Sequence, residues 1–530
     1  MLVWLRAAGL VGQALTLGGA AFSLIVLRCA RTRDGARALD ITLALAALGA
    51  LLVALAQAGT LAALAADLAD GRGWPVTALL DSTVGLSGLI RIAFALIAAG
   101  AALGLRRSPG SITRGVVLLT AAGLLSFTGT LATHAVGWVG SSLWTVAVSV
   151  FHQAAASVWV GGLVCAAALA LRPDGDPPEA WLRPFSALAT IAVVALALTG
   201  VALSLQYIAG PAAALGTAYG AMVLTKLTLF AALLVLGALN HRALHGRLAL
   251  PSWRTSDGGT MLLGTVVLRR RLEVEAGLAI VTIFLAASIG SAPPAVDVGA
   301  DTATLAEIRG VLAPQWPRLA APSLAELAAA SDLGNALAPR SVEETAWSEF
   351  GHHVAGLLIV TMGVLAILER TDWAPWARHW PLLFIGLTVF VAYNMDPEGW
   401  QTGRVGFWQQ LLGLEVLQHR ILLVLTALLG LAEWRVRSGR NPSSPWRYVF
   451  PLVFIVSGTV LLSHAHEVTD ARSSFLMELT HLPMGLVVLV AGWARWLELR
   501  LPPVDGRRAG QWWGPALCGL GALLLLYREG

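Results

Sequence analysis

Between residues 8 and 527 the chain repeats one pattern, an apolar run closed by a short polar loop, as in "ITLALAALGALLVALAQAG" and "FSALATIAVVALALTG". About fourteen such runs can be counted, most of them near the 20 residues that a helix needs to span hydrocarbon. The alternating ten-residue segments of a membrane barrel are missing, so the spans are helices. The composition agrees, with 57% hydrophobic residues, 13% charged residues and a mean hydropathy of +0.72. The expected fold is all-α, a polytopic membrane bundle of about fourteen transmembrane helices.

Arginines orient the bundle, because cytoplasmic loops are enriched in basic residues. Arg28, Arg31, Arg33 and Arg37 follow the first run, Arg106, Arg107 and Arg114 the third, and Arg242, Arg247, Arg254 and Arg269 to Arg271 the seventh. Acidic residues gather on the opposite side, at Asp67, Asp70, Asp81 and between Asp297 and Glu349. Both termini are therefore expected to be periplasmic, with the first run retained rather than cleaved. The net charge of +5 reflects this bias and calls for no nucleic-acid partner. A loop at 296–348 divides an eight-helix membrane domain, 1–295, from a six-helix domain, 349–530, and its "SLAELAAASDL" predicts a short surface helix. The three cysteines, Cys29, Cys165 and Cys518, share no metal-binding spacing and are read as packing residues.

Histidines break the apolar pattern in an ordered way. The run "YVFPLVFIVSGTVLL" stops at "SHAHEVTD", placing His464, His466 and Glu467 where hydrocarbon would reject them. His134 closes the fourth run, His352 and His353 open the ninth, and His152 and His481 lie about two turns into the fifth and thirteenth. All seven fall on the expected outer side, with His419 about 15 Å into the eleventh run. Residues three, four or seven apart share a helix face, which groups Met477, Glu478, His481 and Met484, and pairs Glu415 with His419. Imidazole with thioether suits Cu(I), and imidazole with carboxylate suits Cu(II). The competing account assigns these side chains to packing and interhelical hydrogen bonds. "TGTLATHA" and "SGTVLLSHA" each precede a helix carrying a further histidine, so each half is expected to own a comparable site.

Lys226 is the only lysine, and it lies inside the apolar run "YGAMVLTKLTLF" on a face shared with Tyr219 and Met222. Unlike arginine, a buried lysine can give up its proton, so a proton-linked or electrostatic role is expected. No glycine-rich Walker loop precedes it and no Asp-Lys-Thr phosphorylation motif exists, which excludes nucleotide-driven pumping by those means. No enzymatic activity is expected.

Four ordered segments, "VFHQAAASVWVGGL" (150–163), "FSALATIAVVALALTG" (185–200), "TAYGAMVLTKLTLFAALLVLGALNH" (217–241) and "LRRRLEVEAGLAIVTIFLAASIGSAPP" (268–294), resemble the CopD copper-resistance family of bacterial inner-membrane proteins. The resemblance covers roughly residues 1–295 and implies copper uptake or transfer from the periplasm, with a small periplasmic copper-binding partner. It implies roles for His152, with Trp159, Gly161 and Gly162 following, and for Tyr219, Gly220 and Lys226. The chain departs from the simplest members in its C-terminal six-helix extension and in lacking a fused periplasmic copper-binding domain. Two other readings stay open. Histidines at similar depth on neighbouring helices also hold b-type haem in membrane electron-transfer proteins, and the same ligands would serve a factor that inserts copper into another membrane enzyme.

Overall fold

The computed structural model describes residues 2–29, 35–69, 76–131, 142–172, 179–245, 253–254, 260–261, 263–330, 341–371, 374–394, 406–408, 414–439, 444–463 and 471–529. The long helices are α1 (Leu2–Ala21, continued by a π turn at Phe22–Val26), α2 (Gly35–Ala69), α3 (Thr83–Arg107), α4 (Ile112–Thr130), α5 (Leu143–Ala170), α6 (Glu179–Tyr207), α7 (Ala218–Leu244) and α8 (Leu263–Ile289). After the linker come α9 (Val342–Leu368), α10 (Leu383–Asn394), α11 (Leu414–Arg437), α12 (Val449–Leu462), α13 (Ala471–Arg500) and α14 (Trp513–Leu525). Among the described residues eleven helices are long and apolar enough to cross a membrane, namely α1 to α9, α12 and α13. The protein is a polytopic helical membrane protein.

The other three helices fall on the remaining apolar runs. Helices α10 and α14 have 12 and 13 residues, shorter than a hydrocarbon core at 1.5 Å per residue, and α11 carries five charged residues among its 24. The helix expected from "SLAELAAASDL" forms at Leu324–Ala330, where the Ser323 N–H and hydroxyl donate to Glu326 and hold that carboxyl below its ordinary range. Thr304 and Glu307 make a full capping box on Leu305–Leu312. A two-residue antiparallel pairing, Trp253–Arg254 with Thr260–Met261, lies between α7 and α8.

Contacts divide the chain into two compact units, Met1–Pro211 with Val223–Asp297, and Ala212–Met222 with Val298–Gly530. In the first, α1 is the hub and packs on α2, α4, α5 and α8. Lipid gives helices no hydrophobic reason to associate, so small residues that admit close backbone approach take that role. A Cβ on Gly12 would lie 2.6 Å from the Gly49 carbonyl of α2, and one on Gly18 would lie 2.5 Å from Gly161 Cα of α5. At the next position of α5, Gly162 leaves room for the Phe185 ring of α6. The Trp-Val-Gly-Gly segment is thus a packing device with α1 and α6 on its two glycines.

The second unit uses the same device. Gly356 of α9 and Gly521 of α14 face each other with each potential Cβ under 3 Å from the other's carbonyl, and Gly363 accommodates Cys518 Sγ. At one end of this unit the charges are balanced. Glu433 is fully buried and accepts from Arg437 at 2.7 Å and Arg495 at 3.0 Å. Glu498 takes Arg495 at 2.8 Å and also pairs with Arg370, while Glu369 pairs with Arg437. Trp380 and Trp513 donate to Glu369 and Glu498 at 2.9 and 2.7 Å, with Arg437 lying about 5 Å over both rings. Three arginines thus meet three carboxylates, and losing one partner of such a set costs about 3–5 kcal/mol.

Gly161→Val is expected to destabilise the protein by at least about 3 kcal/mol, the upper range of overpacking, because the obstacle is α1 backbone rather than a movable side chain. Thermal unfolding in detergent reads this directly. A midpoint equal to that of the parent would show that α1 and α5 do not depend on that contact.

Candidate functional site

In the first unit, α5 presents His152 to α6. The Thr199 hydroxyl donates its one hydrogen to the Ala195 carbonyl at 2.6 Å, so the 2.9 Å contact with His152 Nδ1 has the ring N–H as donor. The ring also hydrogen-bonds the Leu196 carbonyl, and with Nδ1–H as the donor the lone pair stays on Nε2, the arrangement in which an imidazole binds a metal. The ring lies beside Gly200, where a Cβ would be in ordinary contact with Cε1 at 3.4 Å. Lys226 of α7 is near enough for its charge to act on His152. Lys226 is half-buried and forms no ion pair among the described residues.

The second unit repeats the tautomer twice. His352 of α9 donates Nδ1–H to the Ser348 carbonyl at 2.8 Å, and His481 of α13 donates to the Met477 carbonyl at 2.8 Å. Both acceptors sit one turn back on the same helix, so each ring is aimed by its own element. The two ring centres are 6.1 Å apart, close enough for two imidazoles to share one ion through bonds of about 2 Å. Tyr527 stacks on His352 at 3.9 Å and meets His481 edge-on at 5.6 Å.

His353 differs from its neighbour. It is wholly buried, its Nδ1 accepts the Arg318 backbone N–H at 2.8 Å, and Nε2 lies 3.0 Å from the Tyr527 carbonyl and 2.7 Å from Arg528 Nη1. Both ring nitrogens are held by protein groups, so His353 ties the linker and the C-terminal segment to α9. Met477 and Met484 are buried on α13, and Met484 packs into the apolar cluster that holds Met362. Glu478 is 4% exposed and has no hydrogen bond or ion pair with a described residue.

Other expected ligands contribute less. His134, His464 and His466 lie outside the described residues, and Glu415 and His419 are placed only by backbone, near the start of α11. Trp159 is buried edge-on against Phe230 at 5.8 Å, in the core of the first unit. Tyr219 and Met222 are buried on the first two turns of α7, which cluster with the second unit, whereas Lys226 belongs to the first. Among the described residues no three of His, Cys, Asp and Glu converge as a metal cluster.

Four residues were not singled out from the sequence. Thr199, Met362 and Tyr527 gain importance only through tertiary contact. Arg91 had a signal, since it interrupts "GLIRIAFALIAAG" just as Lys226 interrupts its own run.

Residues 179–289 match the family model for CopD, copper resistance protein D. That segment is similar to a CopD domain. It comprises α6, α7 and α8, and so includes Thr199 and Lys226, while His152 and the second unit fall outside the match. The match associates the protein with copper and with copper resistance, and gives haem no support. No curated protein and no solved structure matches the chain.

Thr199→Val keeps the shape of the residue but removes the hydroxyl beside His152 Nδ1, leaving the Leu196 carbonyl as the ring's remaining partner there. Histidine 15N spectra are expected to show a single Nδ1–H form at this position in the parent and a tautomer mixture in the variant. An unchanged spectrum would assign the orientation of the ring to another group.

Proposed function

We propose that the protein is a copper carrier of the bacterial inner membrane, taking copper from the periplasmic side on its histidines and passing it across or into the bilayer. The observation that carries this reading is the shared tautomer of His152, His352 and His481, together with the CopD match over the helices that hold His152 in place. Three neutral imidazoles, each with Nδ1 committed and a lone pair on Nε2, are suited to a soft or borderline ion and not to Mg²⁺ or Ca²⁺, which take oxygen.

Within this reading, His464 and His466 collect the ion at the surface, and His352 and His481 receive it. Met477 and Met484, with Glu478 beside them, supply thioether and carboxylate deeper along α13. In the first half His134 and His152 form the corresponding path, with Lys226 opposing a second cation next to a loaded His152. Glu415 and His419 are candidate ligands on α11, and His353 secures the fold around the pair. A small periplasmic copper-binding protein is the proposed donor.

His352→Asn with His481→Asn is expected to remove about one copper per chain from the folded, purified protein, since asparagine keeps hydrogen bonding but is a poor ligand. His152→Asn is expected to remove a second. Copper counting and absorbance on one preparation read both results. A stoichiometry unchanged in the double variant would end the proposal for the second unit, and a haem spectrum in the parent would end it for the whole protein.

The orientation is tested separately. Ala325→Cys, at an exposed position in the linker, is expected to react with a membrane-impermeant maleimide added to intact cells. Reaction only after permeabilisation would invert the topology and place the histidine pair on the cytoplasmic side.

A further inference from the structure

Arg91 is the group that neither the copper reading nor the packing absorbs. It lies eight residues into α3, about 12 Å from that end of the helix at 1.5 Å per residue. It is 7% exposed, and a guanidinium does not surrender its proton in such a site. Its partners are neutral: Nη1 donates to the Leu125 carbonyl at 2.9 Å, and Nη2 donates to Gln13 Oε1 at 2.9 Å.

The surroundings supply hydrogen bonds without supplying charge. Gln13 is 1% exposed and its amide donates to Ser126 Oγ at 3.3 Å and reaches Gln153 Oε1 and Ser157 Oγ at 3.4 Å. The Gln153 amide donates in turn to Thr130 at 3.1 Å. Helices α1, α3, α4 and α5, which form this cluster, contain no Asp or Glu. On α2, Asp40 is bonded to Arg106 at 2.6 Å, and Asp67 lies about 15 Å further along the helix than Gln57, the residue beside Gly88. Across α5, His152 and Lys226 can only add positive charge, and on α8 the buried Glu275 is bonded to Asn240 at 2.8 Å. A buried cation whose hydrogen-bond partners among the described residues are all neutral is several kcal/mol short of compensation in such an interior. Gly129 packs directly on this group, since a Cβ there would strike Arg91 Nη1 and lie 2.9 Å from Gln13 Oε1 and 3.1 Å from Gln153 Oε1.

We infer that Arg91, with Gln13 and Gln153, forms a binding site for one small monovalent anion of the chloride or nitrate class in the first unit. The site is separate from the histidines and does not depend on copper. The anion supplies the charge that the helices lack, and the two amides turn their NH₂ groups to it when it binds.

The test uses the full-length protein in neutral detergent and ³⁶Cl⁻, with gluconate holding ionic strength constant. Expected is saturable binding of about one chloride per chain, displaced by bromide and nitrate, with an affinity constant from about pH 5.5 to 8.5 because the guanidinium does not titrate. Arg91→Gln is expected to weaken it at least about tenfold. Arg106→Gln, at the exposed pair with Asp40, is expected to leave it unchanged. Should Arg91→Gln fail to fold, the parent alone decides, because its thermal midpoint must then rise with chloride relative to gluconate. A parent with no saturable binding and no such rise overturns the inference, as does a folded Arg91→Gln that keeps the parent affinity, or a loss of binding that follows Lys226→Gln instead.

Discussion

A charge taken out of water into a helical membrane bundle has to be met by an opposite charge, by loss of its proton or by a ligand. The polar interior of this protein is ordered by that requirement. In the second unit it is met internally, where Arg370, Arg437 and Arg495 interlock with Glu369, Glu433 and Glu498 between two tryptophans. His352 and His481 give their Nδ1–H groups to carbonyls of their own helices. Arg91 donates to neutral groups and keeps its proton, and so it is the position at which the first unit calls on something outside the chain.

Close backbone packing is what gives these groups fixed positions. Gly12 with Gly49 and Gly18 with Gly161 hold α2 and α5 against α1 at distances that no side chain would permit. The Gly18 contact lies five residues from Gln13, and Gly161 lies nine from His152. The same crossing therefore sets the level of Gln13 against Gln153 and, on the adjacent position of α5, the level of His152 against α6. Packing and polar placement in the first unit have one cause.

Much of this was legible in the residues. Apolar run length gave the helices, because in lipid a spanning segment must satisfy its own backbone. The histidines and the lone lysine stood out because ionisable groups are rare in such runs, and of the four segments resembling CopD the family match covers the second and third and most of the fourth, not the one holding His152. The sequence also separated two halves by a linker, but it could not show that the first turns of α7 cluster with the second unit, since that depends on contacts far apart in the chain. Adjacent residues with identical side chains illustrate the limit best. His352 and His353 read alike in "EFGHHVAG", yet one has its ring centre 6.1 Å from that of a second histidine while the other is locked between Arg318, Tyr527 and Arg528. Only the hundred-degree step of the helix and the packing around it separate their roles.

The two units aim their imidazoles by different mechanical means. His352 and His481 are tied to carbonyls one turn back on their own helices, so their rings travel with the helix, and sliding α9 against α13 changes their separation but not their bearing. His152 is moored to Thr199 on a neighbouring helix. A shift of α6 by a single residue, about 1.5 Å, carries the mooring away and frees the ring to rotate. The second unit thus holds its nitrogens like fixed fittings, and the first holds its nitrogen like a latch that moves when α6 moves.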